Sequence, residues 1–208
     1  MPSFAKIITP LVSLLAAAKA LPTSPANAIT VRSECPEKGK TARVYASSLY
    51  TLFPGEPQLA SPSVDDFHVQ YNNQTNLTIQ TAAVFNQLPS AAIGCAFGWS
   101  QDDASVGILV AGGDGLLAGR QLSGFPDVAA GVSSAAVEPF DTASPDKAFE
   151  TEFTGWDREV KGTYHTSGPG KITCSQDIFL IIEKPRTTSG NVFLKKTEGA
   201  GLFVQYQC

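Results

Sequence analysis

Along most of the chain, polar and apolar residues alternate with a period of two, which is the pattern of half-buried β-strands. Clear examples are FHVQYN at 67–72 and FETEF at 149–153. Two continuous apolar runs, VGILVA at 106–111 and IFLII at 178–182, are typical of strands buried on both faces. No helical period of 3.6 residues is sustained beyond the first 20 residues. The chain is therefore predicted to be all-β.

Turn-forming residues separate these segments at short spacing, as in PGEP at 54–57 and GGDG at 112–115. We predict a single antiparallel β-sandwich, jelly-roll-like, with about nine to eleven strands over residues 35–208. The strand at 93–99 places Ile93, Cys95, Phe97 and Trp99 on one face, which indicates a core strand. Residues 126–145 are predicted to form a long loop with at most a short helix. Further strands are predicted at 42–53, 160–164, 171–174, 192–194 and 202–208.

The first 20 residues have the pattern of a secretory signal peptide. Lys6 precedes an apolar run at 7–18, and Ala18-Lys19-Ala20 is a small-x-small cleavage pattern. That run is shorter than the roughly 20 residues that a membrane-spanning helix needs. Residues 21–34, rich in proline and small side chains, are predicted to be a flexible pro-segment or linker. The protein is thus predicted to be secreted.

Charge changes the list of possible partners. Only 16% of the 208 residues are charged, while 43% are hydrophobic, enough for a sizeable core. Of the 15 basic residues two, Lys6 and Lys19, lie in the predicted signal peptide, which leaves 13 basic against 19 acidic residues. An acidic chain lacks the basic footprint that nucleic-acid binding requires. We expect no nucleic-acid partner and no membrane span.

Four cysteines, an even number, predict two disulfides in a secreted chain, with three possible connectivities. Cys95 and Cys174 belong to predicted core strands, whereas Cys35 and Cys208 lie at the two ends of the domain. We favour the pairs Cys95–Cys174 and Cys35–Cys208, because a bond at the last residue ties down an end that would otherwise fray. No CxxC or histidine spacing indicates a metal site, and we expect no cofactor.

Two adjacent sequons, Asn73-Gln74-Thr75 and Asn76-Leu77-Thr78, predict N-glycosylation in a secreted protein. The strand pattern that follows places Asn76 and Thr78 on a polar face. Asn73 and Asn76 are therefore the predicted glycan acceptors, with one occupied site expected because they are so close.

Few residues are candidates for chemistry. Glu150 and Glu152 would lie about 6.5–7 Å apart on one strand face. This distance is at the lower end of the separation between the two catalytic carboxylates of an inverting glycosidase. His165 is the remaining candidate, although a solvated surface position is the simpler interpretation of all three residues. Trp156 follows a glycine and precedes a charged stretch, so it could project from a turn and stack on a sugar ring. The alternative is that Trp156 covers an edge of the sandwich.

Several elements together resemble the fungal secreted family named for the ubiquitin-3-binding-protein C-terminal domain (the But-two type). These elements are FNQLP at 85–89, Cys95 in an apolar strand, the later Cys174, and the closing GLFVQYQC with Cys208 last. The similarity covers residues 42–208, with one additional residue inside the FNQLP element and a shorter gap to Cys95. The resemblance implies a secreted fungal β-sandwich without established catalytic residues.

The sequence therefore predicts a non-enzymatic extracellular or cell-wall-associated protein that binds carbohydrate or another surface, with Trp156 as ligand-binding residue. Two alternatives stay open. One is a secreted hydrolase that uses Glu150, Glu152 or His165, and the other is a protein-binding effector.

Overall fold

A computed structural model describes residues 34–101, 108–110, 113–129, 131–153, 164–166, 170–197 and 200–208, all within one compact unit, Val31–Cys208. The predicted signal peptide and nearly all of the predicted linker lie outside the described residues. The described strands, numbered in chain order, are β1 Ala42–Tyr45, β2 Ser48–Leu52, β3 Ser63–Val64, β4 Phe67–Asn72, β5 Leu77–Phe85, β6 Ile93–Ser100, β7 Ile108–Val110, β8 Leu116–Gln121, β9 Phe149–Glu152, β10 Tyr164–Thr166, β11 Ile178–Glu183, β12 Gly190–Leu194 and β13 Gly201–Gln207.

The strands form two antiparallel sheets. The smaller sheet has the order β1-β13-β6-β10, and the larger has the order β7-β12-β4-β5-β11-β8-β9, with β2 and β3 attached to β5. All strand pairs in these sheets are antiparallel. The predicted antiparallel all-β class is confirmed. Among the described strands, ten have four or more residues, within the predicted range, and β3, β7 and β10 are pieces of two or three residues.

The main core lies between the two sheets, as in a sandwich, because each sheet contributes one apolar face to it. Trp99 of the smaller sheet stacks on Phe153, which directly follows β9 of the larger sheet, with ring centroids 4.4 Å apart. Phe97 stacks in the same way on Phe149, at 5.0 Å. These side chains are fully buried. Aromatic pairs of this kind each contribute about 0.5–1.5 kcal/mol beyond the burial of their area.

Both predicted disulfides are present. Cys35 bonds to Cys208 and joins the two ends of the described chain, and Cys95 bonds to Cys174. Cys95 is buried in β6 and its backbone N–H donates to the sulfur of Cys174 at 3.1 Å. The second disulfide therefore fastens the segment around Cys174 to the core face of the smaller sheet.

A second apolar cluster covers the face of the larger sheet that points away from the smaller one, here called the outer face. It comprises Tyr50, Leu52, Ala82, Val84, Leu122, Val132, Val137 and Ile181. The chain between β8 and β9 supplies the cover and contains one short helix, α1 Ser134–Val137, and two 3₁₀ helices, Glu138–Phe140 and Pro145–Lys147. The prediction of a long loop with at most a short helix is confirmed. Ser133 caps α1 by accepting a hydrogen bond from the Ala136 N–H.

Four details differ from the sequence prediction. Ile93 is 58% exposed rather than in the core, because Gly94 has a φ of +63° and the pairing with β13 shifts register beside it. The segment 171–174 is not a strand. β7, predicted to be central, is an edge strand. β8 was not predicted; it contains Gly119, where a Cβ would lie 2.4 Å from the Phe149 ring.

Candidate functional site

The outer face of the larger sheet carries a pocket of about 230 Å³ beside the 3₁₀ helix Glu138–Phe140, here called the outer-face pocket. Six of its eleven lining residues are apolar and five are polar or charged, and small-molecule sites commonly combine apolar walls with a few convergent polar groups. It is lined by Leu52, Pro54, Pro57, Gln80, Arg120, Ser134, Ala135, Val137, Glu138, Asp141 and Ile181.

Arg120 organises the polar side of this pocket. Its Nε and Nη2 donate to the two carboxylate oxygens of Asp141 at 2.6 and 2.5 Å. Its Nη1 donates to Glu183 Oε1 at 2.7 Å, and the other oxygen of Glu183 accepts from Gln80 at 2.5 Å. The four residues, here called the Arg120 cluster, come from β5, β8, β11 and the loop after β8. A bidentate arginine–carboxylate pair fixes both planes and is among the stronger protein hydrogen bonds.

The hydrogen bond to Asp141 raises the pKa of Arg120 further above its ordinary value, against the opposing effect of burial, so the guanidinium stays charged. Arg120, Asp141 and Glu183 are each between one fifth and one third exposed at the side chain, so the cluster faces both the pocket and solvent. The cluster contains two negatively charged carboxylates and one positively charged guanidinium. The cluster therefore carries a net negative charge of one.

Hydrogen-bonding capacity is left over in the Arg120 cluster. Of the five guanidinium N–H groups three are used, and each carboxylate oxygen accepts one hydrogen bond where it could accept two. The Ser134 hydroxyl, whose oxygen is buried in the pocket wall, has no partner among the described residues. Burying a hydroxyl without a partner costs about 1–3 kcal/mol. The pocket thus presents unused donors and unused acceptors together.

A second depression of about 460 Å³, here called the polar groove, lies beside the outer-face pocket. It is lined by Gln121, Leu122, Ser123, Thr142, Ala143, Lys147, Lys171, Thr173, Ser175, Asp177 and Phe179. Hydroxyl, amide and ammonium groups dominate this lining. The half-buried Phe179 ring stacks on Phe125, with centroids 5.2 Å apart.

One wall of the polar groove is the segment 170–177, which the sequence predicted in part as a strand. It is held instead by side chains. The Gln121 amide donates to the Thr173 carbonyl at 3.0 Å and accepts from the Thr173 N–H at 2.8 Å. The Cys95–Cys174 disulfide fixes the next residue. Ile172 is buried in the main core, and the Gln176 carbonyl accepts from the Leu88 N–H at 3.0 Å, so a disulfide, hydrogen bonds and core packing together hold this wall.

A separate ion pair lies at the opposite end of β8. Lys184, only 2% exposed, donates from Nζ to Asp114 Oδ1 at 2.5 Å and to the Leu116 carbonyl at 3.3 Å. Thr188 donates to the other oxygen of Asp114. The hydrogen bond from Lys184 is the main cause that lowers the pKa of Asp114 to about 2. Because all of these groups are used internally, we assign this pair to stability rather than to binding.

The predicted catalytic candidates lie away from both depressions. Glu150 and Glu152 are exposed on the edge strand β9, alternating with buried Phe149 and Thr151. His165 is in β10 of the smaller sheet, where its backbone pairs in register with Trp99. The structure thus assigns the glutamates and His165 to different sheets. Trp156, the predicted ligand-binding residue, lies outside the described residues.

The first sequon lies in the exposed turn between β4 and β5, and the second begins in that turn with Asn76 and continues into β5. The side-chain amide oxygen Oδ1 of Asn73 accepts from the Ser189 hydroxyl at 2.7 Å. Asn76 has a φ of +53° and precedes the strand. The prediction that Asn76 shares a polar strand face with Thr78 is wrong: Thr78 is buried and Leu77 is 43% exposed. Asn76 adopts a left-handed turn conformation, which asparagine tolerates well.

We expect one N-glycan per chain at this turn when the protein is expressed in a eukaryotic secretory host. Both acceptor amides are exposed, but their separation of three residues leaves no room for two glycans. Intact mass before and after glycosidase treatment measures occupancy, and Asn73→Gln and Asn76→Gln assign the site. An unchanged mass in the wild type would refute glycosylation.

Sequence reasoning did not find the Arg120 cluster. Arg120 and Asp141 are 21 residues apart, and Arg120 and Glu183 are 63 apart, so no motif spacing connects them. The one local signal is a charged residue within LLAGRQ, the short sequence of β8. Recognising that signal requires β8 to be recognised as a strand first.

Comparison of the chain with models of known protein families, with curated proteins and with solved structures returned no match. The family resemblance stays a prediction. Among the described residues, no group of three or more histidine, cysteine or acidic side chains is placed to hold a metal ion. In the same part of the chain, no helix is long and apolar enough to cross a membrane.

Proposed function

We propose that the protein is a secreted extracellular β-sandwich that binds carbohydrate in the outer-face pocket. The observation that carries this proposal is the Arg120 cluster with the unpartnered Ser134 hydroxyl in an otherwise apolar pocket. A sugar hydroxyl both donates and accepts, so it matches a site where donors and acceptors are left over together. The C–H faces of a sugar ring match the walls of leucine, isoleucine, valine and proline. The planar, held side chains of Arg120 and Asp141 cost little to order on binding.

Secretion is supported by the signal-peptide pattern of residues 1–20, the two disulfides and the exposed sequons. The resemblance to the fungal secreted family supports a cell-wall or cell-surface location. The carbohydrates of a fungal or plant wall are then the relevant ligands. Binding without turnover is our preferred version, because the pocket's polar groups lie apart from Glu150, Glu152 and His165.

The test is a panel of oligosaccharides derived from chitin, β-glucan, cellulose, xylan, mannan and pectin, with affinity measured by calorimetry. Ser134→Ala removes a hydroxyl that makes no internal hydrogen bond. We expect this change to weaken binding about three- to tenfold, the value of one hydrogen bond, while the midpoint of thermal unfolding stays unchanged or rises. The unfolding midpoint rises if the unpartnered hydroxyl is costly in the free protein.

Ser133→Ala is the matched control, because it makes the same chemical change one residue earlier. Ser133 caps α1 and does not line the pocket. Its replacement should lower the free energy of unfolding by about 1 kcal/mol and largely retain affinity. Equal affinities of wild type and Ser134→Ala, or no binding to any member of the panel, would reject the proposal. Turnover of a glycan that is lost in Glu150→Gln or Glu152→Gln would favour the hydrolase instead.

A further inference from the structure

We infer that the outer-face pocket and the polar groove are consecutive subsites of one cleft, and that its ligand is an oligosaccharide in which a neutral sugar stands beside an acidic one. The neutral sugar occupies the pocket and the carboxylate of a uronic acid contacts Lys147 and Lys171 in the groove. This inference rests on the proposed carbohydrate binding and names the class of carbohydrate.

The residues that line the two depressions indicate that the depressions are continuous. Asp141 lines the pocket, and Thr142, which directly follows it in the loop after β8, lines the groove. Ile181 of the pocket and Phe179 of the groove are two residues apart on β11, and both pack with the outer apolar cluster. Two residues of a strand span about 6.8 Å. A ligand longer than one sugar ring that enters the pocket therefore reaches the groove.

The charges of the two parts are opposite in sign. The pocket lining carries Arg120 against Glu138 and Asp141, with Glu183 bonded behind it. The groove lining carries Lys147 and Lys171 against Asp177, and both lysines also interact with the neighbouring carboxylate of Asp146, which lines neither depression. A carboxylate is thus repelled from the pocket and attracted to the groove. The order of the two sugars in the cleft follows from this difference.

The ammonium groups in the groove retain donors for a ligand. Lys171 donates one hydrogen bond from Nζ, to the Asp146 carbonyl at 2.8 Å, which leaves two of its three N–H groups. The hydroxyls of Ser123, Thr142 and Ser175 line the same groove. The half-buried Phe179 supplies an apolar surface next to them. Charge-assisted hydrogen bonds to a carboxylate are about twice as strong as neutral ones.

The experiment compares two probes that differ only in the acid: a xylo-oligosaccharide of four sugars, and the same oligosaccharide with one glucuronic acid branch. We expect the wild type to bind the acidic probe about tenfold more tightly at low salt. The preference should shrink between about 0.02 M and about 0.5 M salt, because screening weakens contacts between exposed charges. Lys147→Gln/Lys171→Gln should bind both probes with the affinity that the wild type has for the neutral one.

Lys38→Gln/Lys40→Gln is the matched control, since it makes the same change of charge at two exposed lysines that line neither depression. It should keep the preference for the acidic probe. If both probes bind equally and Ser134→Ala weakens both, this inference fails while the proposed function stands. If the acidic probe loses affinity in the groove variant but not in Ser134→Ala, the groove is a separate site and both proposals fail. If no probe binds the wild type, both proposals also fail.

Discussion

Replacing Cys95 and Cys174 together by alanine is expected to lower the free energy of unfolding by about 4 kcal/mol. The disulfide closes a loop with a sequence separation of 79 residues, and losing it returns that loop's conformational freedom to the unfolded chain. The loss is a large part of the 5–15 kcal/mol by which domains of this kind are ordinarily stable. Urea unfolding followed by tryptophan fluorescence measures it, and a loss below about 1 kcal/mol would contradict the expectation.

The terminal disulfide gives the matched comparison. Cys35→Ala/Cys208→Ala opens a loop with a separation of 173 residues, for which the same entropy argument gives about 5 kcal/mol. The two variants should differ in binding. Only the loss of Cys95–Cys174 removes a covalent link from the segment 170–177, which forms a wall of the polar groove, so only this variant should weaken the preference for an acidic ligand. A loss of that preference in the terminal variant as well would mean that the groove depends on the whole sandwich.

The alternation of apolar and polar residues along the chain was sufficient to predict the fold class, because a strand with one buried face has an apolar residue at every second position. β9 shows this directly: Phe149 and Thr151 are buried while Glu150 and Glu152 are exposed. The disulfide pairing was predicted for a related reason. The pair Cys95–Cys174 was predicted from two core strands, and the pairing is present although only Cys95 lies in a strand.

The errors arise where a long-range contact overrides the local signal. The segment 116–121 was not predicted to be a strand, yet it pairs with β11 and β9, and the Phe149 ring occupies the space beside Gly119. The segment 171–174 has a strand-like composition, but its partners are the Gln121 side chain and Cys95 rather than a neighbouring strand. Neither contact corresponds to a motif spacing from which it could be predicted.

The candidate site was beyond prediction for a further reason. Arg120, Asp141 and Glu183 are each ordinary surface residues in the sequence. The pairing of β8 with β11 brings Arg120 beside Glu183, and the folding of the loop after β8 onto the outer face adds Asp141. The burial of Lys184 was also beyond prediction from the sequence. It follows a glutamate and precedes a proline, a context that indicates an exposed strand end, yet it is buried. Its partner Asp114 is 70 residues away and lies in a glycine-rich turn.

Asp114→Asn is expected to lower the free energy of unfolding by about 3 kcal/mol, since it leaves the buried ammonium group of Lys184 without its counter-charge. Asp114 itself is 37% exposed at the side chain, so solvent screening places the loss at the lower end of the range for buried pairs. Lys184→Met is the control that removes the buried charge itself. Its methylenes are largely kept, so we expect a loss of only about 1 kcal/mol or less.

The pH dependence of stability provides an independent measurement of the same pair. The pKa of Asp114 is lowered to about 2 from an ordinary value of 3.8, chiefly by the hydrogen bond from Lys184. A lowered pKa contributes stability that is fully present above about pH 4 and is lost as the pH falls through about 2. After allowance for screening, this contribution is about 1 kcal/mol. Urea unfolding at pH 5 and at pH 2 should show this difference in the wild type and a smaller one in Lys184→Met, because that variant lacks the donor. An equal acid dependence in both proteins would show that Lys184 does not hold Asp114 in its charged form.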